Sequence, residues 1–135
     1  MTFMMKADRY RVNDERALRN TLWADTALGT FTALVGLVFA SRLSPLFGLS
    51  SSLIVAISLV TLAYGVGASA LAVQRPLSVP PVRVLVAANW LWTAVSAVLL
   101  VLHADTATVF GFAFLTLQIL VVGGLAYLEG RQLVR

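Results

Sequence analysis

Val109-Phe-Gly-Phe-Ala-Phe-Leu-Thr-Leu-Gln118-Ile-Leu-Val-Val-Gly-Gly-Leu-Ala-Tyr-Leu128 is an unbroken apolar run without a single charged side chain. A hydrocarbon core about 30 Å thick is crossed by roughly 20 helical residues, so this stretch has the length and composition of a transmembrane helix. Three more stretches repeat the pattern upstream: Leu22 to Ala40, Ser52 to Val73 and Val84 to Leu102. None holds Lys or Arg, each of which costs about 2.5 to 3.5 kcal/mol at the centre of an inserted helix. The sequence predicts an all-α protein, a transmembrane four-helix up-down bundle. A membrane barrel needs apolar and polar residues in alternation, and Val98-Leu99-Leu100-Val101-Leu102 breaks that rule.

Composition points to the same class. Of 135 residues, 59% are hydrophobic and 12% charged, against roughly 25% charged in an average soluble domain. With a mean hydropathy of +0.88, too few polar groups exist to cover a water-facing surface. The chain has no cysteine, which excludes disulfides, thiolate metal sites, iron–sulfur clusters and dithiol redox chemistry. Its single histidine excludes a bis-histidine haem. No phosphate-binding glycine loop, nucleophile elbow or HExxH motif occurs, so the sequence points to no catalytic residue, no cofactor and no metal site.

Turn residues divide the spans. Ser44-Pro45 and Gly48 lie between the first and second, and Pro76, Pro80 and Pro81 between the second and third, where prolines are expected to stop helices. Spans three and four are joined by residues 103–108 alone, which predicts a tight antiparallel hairpin with Asp105 or Thr106 as N-cap. Asn13, followed by Asp14 and Glu15, has the form of an N-cap with acids in the first turn, so the first helix is expected to begin near residue 14. Val38-Phe39-Ala40 resembles a signal-peptidase site, but the apolar run before it exceeds the usual 7 to 15 residues, so that helix is read as retained. The chain divides into a basic tail, residues 1–20, and one transmembrane domain, residues 21–135.

Orientation follows from the basic residues, which are retained on the cytoplasmic side. Lys6, Arg9, Arg11, Arg16 and Arg19 precede the first span, Arg75 and Arg83 lie in the second loop, and Arg131 and Arg135 close the chain; Arg42 alone lies on the other side. Both termini are expected to be cytoplasmic, and the asymmetry argues against dual-topology insertion. The basic tail reads as a topology determinant set against anionic lipid. It also carries Asp8, Asp14 and Glu15 and little aromatic character, which argues against nucleic acid as a partner.

Polar residues inside spans must face protein or water. Asp25 lies about one turn into the first span, Asn89 at a similar depth in the third, Gln118 near the middle of the fourth and Glu129 at its cytoplasmic boundary. The topology puts Asp25, Asn89 and Glu129 in one third of the bundle, where they could meet. Asp25, Gly29, Thr32 and Gly36 form a narrow stripe on one helix face, as do Asn89, Thr93 and Ser96, and also Gln118, Val122, Leu125 and Glu129. The second span offers Ser58, Thr61, Gly65 and Ala68 or Ser69, with Tyr64 beside them. Gly29, Gly36 and Gly65 read as helix-packing positions.

Two readings of the polar residues stay open. Asp25 is either a proton or cation site or a packing residue bonded to Asn89 or to a base such as Arg19 or Arg83. Glu129 is a ligand group or a boundary residue, and Asn89 and Gln118 are ligand contacts or helix–helix glue. Tyr64 either ends a hydrogen-bond chain toward these groups or is plain core. Trp23 and Trp92 read as interfacial anchors, with one of Trp90 and Trp92 able to turn inward, and an aromatic cage for a cation is conceivable. His103 reads as a solvated loop residue, since it and Asp105 cannot close a metal site.

Leu22-Trp23-Ala24-Asp25 followed by Gly29, Ala88-Asn89-Trp90-Leu91-Trp92, and Phe112 to Gln118 running on to Ala126-Tyr127-Leu128-Glu129 resemble a group of small, uncharacterised four-helix bacterial integral membrane proteins. The resemblance implies a bacterial inner membrane and singles out the same Asp25, Asn89, Gln118 and Glu129; it brings no activity or ligand with it. The basic tail is longer than in that group. Two functions are compatible with these observations. One is an accessory, assembly or self-associating subunit, without chemistry of its own, in a homo-oligomer or a larger membrane-protein complex. The other is a small proton-coupled transporter, channel or apolar-ligand-binding protein that uses Asp25.

Overall fold

A computed structural model describes residues 11–134, and four helices make up nearly all of it. They are α1 (Glu15–Phe47), α2 (Ser51–Ala72), α3 (Val79–Leu102) and α4 (Val109–Gly130). Each is long and apolar enough to cross a membrane. Antiparallel α1 and α2 pack along their length, α3 and α4 do the same, and α1 also lies against α4, whereas α2 and α3 touch over few residues. Large apolar side chains such as Phe31, Val38, Val66, Val98 and Leu120 point outward and are exposed. Such continuous apolar exposure suits acyl chains and not water.

α1 and α2 approach closely because small residues line their seam. A Cβ built on Gly29 would meet the Thr61 carbonyl oxygen at 3.2 Å, and one on Gly36 would overlap the Ser58 Oγ at 1.9 Å. Thr26 Oγ1 donates across the seam to the Gly65 carbonyl at 3.2 Å. Gly29, Gly36 and Gly65 are therefore packing positions, as expected, and they serve packing within this chain. Thr32, expected on the same inward stripe, is exposed.

Two apolar clusters close the two ends. Leu18, Leu22, Leu71, Leu77, Val82 and Leu85 fill the end near the termini, while Ala40, Leu49, Ile54, Ile57 and Leu115 fill the other. At the latter end the helices are clasped: Thr108 Oγ1 donates to the Leu46 carbonyl, and the Phe47 and Phe114 rings stack with centroids 5.1 Å apart.

Several boundaries differ from expectation. α1 does not stop before Pro45 but runs through it to Phe47, with non-helical backbone at Phe39 (φ −110°, ψ 16°). Pro45 removes one N–H and crowds the Ser41 carbonyl four residues back, which the last turns of α1 absorb without stopping. The true stop is Gly48, in the left-handed region at φ 66°, whose N–H donates to the Ser44 carbonyl at 2.9 Å, a termination that glycine favours. Pro80 and Pro81 open α3 instead of ending α2, since first-turn N–H groups need no helical partner. α1 is capped by Asp14, not Asn13, and α4 by Thr108, not Asp105 or Thr106. His103 is not merely solvated: its Nδ1 lies 2.9 Å from the Leu99 carbonyl at the end of α3.

Outside the apolar run of α1, Arg19 organises the α2–α3 loop. Its guanidinium pairs with Glu15 at 2.8 Å and donates to the Ala72 and Gln74 carbonyls at 3.0 and 2.8 Å. Glu15 Oε1 also accepts from the Leu77 N–H at 3.2 Å. The Arg19 hydrogen bond, followed by that from Leu77, holds the Glu15 carboxyl below its ordinary value of 4.5. Two short strands, β1 (Arg11–Val12) and β2 (Leu133–Val134), pair antiparallel, so both ends of the described chain meet at one end of the bundle. Arg11, Arg16, Arg19, Arg75, Arg83 and Arg131 belong to that end and Arg42 to the other; Lys6, Arg9 and Arg135 lie outside the described residues.

Candidate ligand-binding site

The three polar residues expected to meet do meet. α1 supplies Asp25, α3 Asn89 and α4 Glu129, all buried, with Glu129 wholly inaccessible. Asn89 stands between the acids. Its side-chain nitrogen donates to Glu129 Oε1 at 2.8 Å and, more weakly, to Asp25 Oδ2 at 3.4 Å. One amide has two N–H groups, so these contacts use all its donors while the carboxyls retain acceptor capacity. Glu129 Oε2 is buried without an N–H or hydroxyl donor, and the Glu129 and Asp25 carboxyls hydrogen-bond each other. Arg19, one candidate partner for Asp25, spends its donors on Glu15 and the α2–α3 loop.

The remaining candidates surround the space above this cluster. Tyr64 ends no chain at the acids; its hydroxyl donates to the Ala88 carbonyl at 2.7 Å, tying α2 to α3 where those helices otherwise barely touch. Gln118 is too far along α4 to join the acids: eleven residues separate it from Glu129, about 16 Å of helix. It donates to Ser96 Oγ at 2.7 Å, and Ser96 in turn donates to the Trp92 carbonyl at 2.7 Å. Gln118 is thus a bridge between α3 and α4.

Between the cluster and that bridge lies a half-open cavity of about 250 Å³. Asp25, Asn89 and Tyr64 form its polar end, Gln118 adds a polar group farther along, and most of the remaining wall is apolar. Leu28 on α1 and Leu117 and Val121 on α4 line it while remaining exposed on the outer surface, so its mouth opens on the lipid-facing side between α1 and α4. A second cavity of about 200 Å³ lies beside the first, with Thr32, Thr61 and Phe114 in the walls of both, and is also lined by Phe47. Ile54 and Ile57, of the apolar cluster at the end away from the termini, line this second cavity too.

Trp92 is not the interfacial anchor that its sequence position suggests. It turns inward, lines the cavity and stands with its ring centroid 6.5 Å from that of Tyr64, while Trp23 and Trp90 face outward. Its position three residues after Asn89 and four before Ser96 puts it on the buried face of α3, a signal already present in the helical spacing. Phe114 is a lining residue that sequence reasoning misses, because an apolar residue in an apolar span carries no distinguishing mark.

A buried acid–amide–acid arrangement at the end of an apolar cavity can accept hydrogen bonds and attract positive charge. Among the described residues no group of three or more His, Cys, Asp or Glu side chains gathers as a metal site would require. No protein-family model matches the chain, and neither a curated protein nor a solved structure matches it.

Proposed function

We propose that this protein is a multi-pass membrane protein that takes up an apolar or amphiphilic molecule from the bilayer, with Asp25 and Asn89 at the polar end of its site. The observation that carries this reading is the cavity itself: it opens toward lipid, its walls are apolar, and its convergent polar groups lie at one end, the usual form of a small-molecule site. Acid groups are costly within a bilayer and mark functional positions more often than lipid-facing ones. The protein acts by binding and has no catalytic chemistry of its own. The excess of basic residues at the end where the chain termini meet supports an orientation with both termini in the cytoplasm, and the resemblance to small bacterial four-helix proteins supports a bacterial inner membrane.

Trp92 provides the test. In a Trp23→Phe/Trp90→Phe background, bromododecanol added to phosphatidylcholine nanodiscs is expected to quench Trp92 saturably, and Val121→Phe, which narrows the mouth, is expected to weaken that quenching at least fivefold. Quenching that rises linearly and ignores Val121→Phe would reduce the cavity to ordinary lipid contact.

A second reading, an accessory or self-associating subunit, is favoured by Gly124 and Gly67, at which an added Cβ would meet nothing within 4 Å. Open glycines on an apolar surface permit close approach of another helix. Gly29, Gly36 and Gly65 cannot serve that purpose, being occupied within the chain. A strictly monomeric protein in nanodiscs, with no copurifying subunit, would remove this reading.

A further inference from the structure

We infer that the molecule this cavity takes is a lipophilic monocation, an alkyl- or arylammonium whose charged head sits at Asp25 and Asn89 and whose tail runs toward Gln118 and Phe114. The inference rests on the ligand-binding reading above and adds the charge of the ligand. Three features carry it. One acid, Asp25, stands at the polar end, and the Asn89 amide beside it donates to Asp25 and to the Glu129 carboxyl behind. Glu129 is wholly buried and forms no part of the cavity wall, so Asp25 is the acid that faces a ligand, and a carboxyl at the end of an apolar cavity favours a donor or a positive charge over an anion.

Aromatic rings come next. Tyr64 and Trp92 line the same space as Asp25, and aromatic rings attract an ammonium group placed within about 6 Å of a ring centroid. Finally, the cavity wall away from Asp25 is largely apolar, with Phe114, Leu117 and Val121 beside Gln118, so an alkyl or aryl tail has apolar side chains to lie against. Anionic amphiphiles are disfavoured because their head would bring the Asp25 carboxyl a further acceptor and no donor. Zwitterionic phospholipids are disfavoured because their phosphate would accompany the ammonium into the acid cluster, whereas a lone cation brings only the compensating charge.

The experiment uses the full chain in phosphatidylcholine nanodiscs, again with Trp92 as its one tryptophan, and three ligands with the same brominated dodecyl chain: a trimethylammonium, an alcohol and a sulfate. The cation is expected to quench with an apparent Kd at least tenfold lower than the alcohol, and the sulfate to bind more weakly than either. Asp25→Asn is expected to abolish the preference for the cation while leaving the affinity for the alcohol within about twofold. Equal affinity for cation and alcohol in the unaltered site would overturn the charge assignment and leave the ligand-binding reading standing. Absence of saturable quenching by all three would overturn both. If Asp25→Asn fails to fold, the order of the three ligands on the unaltered site still decides the matter. A lipid source is distinguished from a free amine by adding stearylamine or phosphatidylethanolamine to the nanodisc: stearylamine is expected to compete, phosphatidylethanolamine is not, and competition by phosphatidylethanolamine would contradict the exclusion of phosphate.

Discussion

Asn89 gives one nitrogen to two carboxyls and so ties α3 to both α1 and α4. Asn89→Ala is expected to destabilise the bundle by about 1.5 to 3 kcal/mol, because it removes the amide that donates to the two buried carboxyls. Unfolding in mixed micelles measures this. Replacing the whole cluster has the opposite expectation: Asp25→Leu/Asn89→Leu/Glu129→Leu should be as stable as the unaltered chain or more so, since apolar side chains of similar size carry no desolvation cost. The same triple variant should lose any preference for a cationic ligand. Stability retained with recognition lost would show that these polar groups are kept for binding, whereas a collapse of the triple variant would show that they are structural. At this scale the sequence is informative where polarity is rare. Asp25, Asn89 and Glu129 stand out against apolar surroundings, and their shared depth places them together before any coordinates are known. Trp92 and Phe114 do not stand out, because lining a cavity and facing lipid demand the same residue types.

Among the elements, the α1–α2 seam is the tightest. Gly36→Leu is expected to cost about 3 kcal/mol or more, since even its Cβ would overlap Ser58 Oγ and overpacking of a closed seam is poorly relieved. The comparison is Gly124→Leu, where nothing lies within 4 Å and the change should be small for a monomer; thermal unfolding of the two variants separates them. The α2–α3 loop depends on Glu15. Since its folded value lies below the ordinary 4.5, its contribution is fully present above that pH and is lost as the pH falls through the lower folded value. The Leu77 amide resonance should therefore shift on acidification with a midpoint below 4.5, and Glu15→Gln should abolish the transition. Helix existence is legible because twenty apolar residues have few other fates in a bilayer. Helix ends are not: Pro45 reads as a terminator locally, but packing of the last turn of α1 on α4 keeps the helix running to Gly48.

For the molecule as a whole, the pairing of β1 with β2 is the feature least visible in the sequence. An even number of spans predicts termini on one side; it says nothing of whether they touch. The two-residue strands carry no periodic signal that could announce them. Because the chain has no cysteine, introduced thiols report cleanly. Val12→Cys and Leu133→Cys, placed at directly paired positions, should cross-link on mild oxidation, while Val12→Cys with Arg42→Cys should not. In intact bacterial cells, a membrane-impermeant maleimide should modify Arg42→Cys and Asp105→Cys and spare Leu133→Cys; labelling of Leu133→Cys from outside would reverse the proposed orientation.

The most direct test of ligand uptake from the bilayer is an experimental structure of the protein in lipid. Binding as proposed predicts an elongated density inside the bundle, distinct from annular lipid, with its compact end beside Asp25 and Asn89 and its tail passing Trp92 toward Phe114. A bundle in which α1 and α4 close over that space, leaving Asp25, Asn89 and Glu129 as a dry bonded cluster, would contradict it.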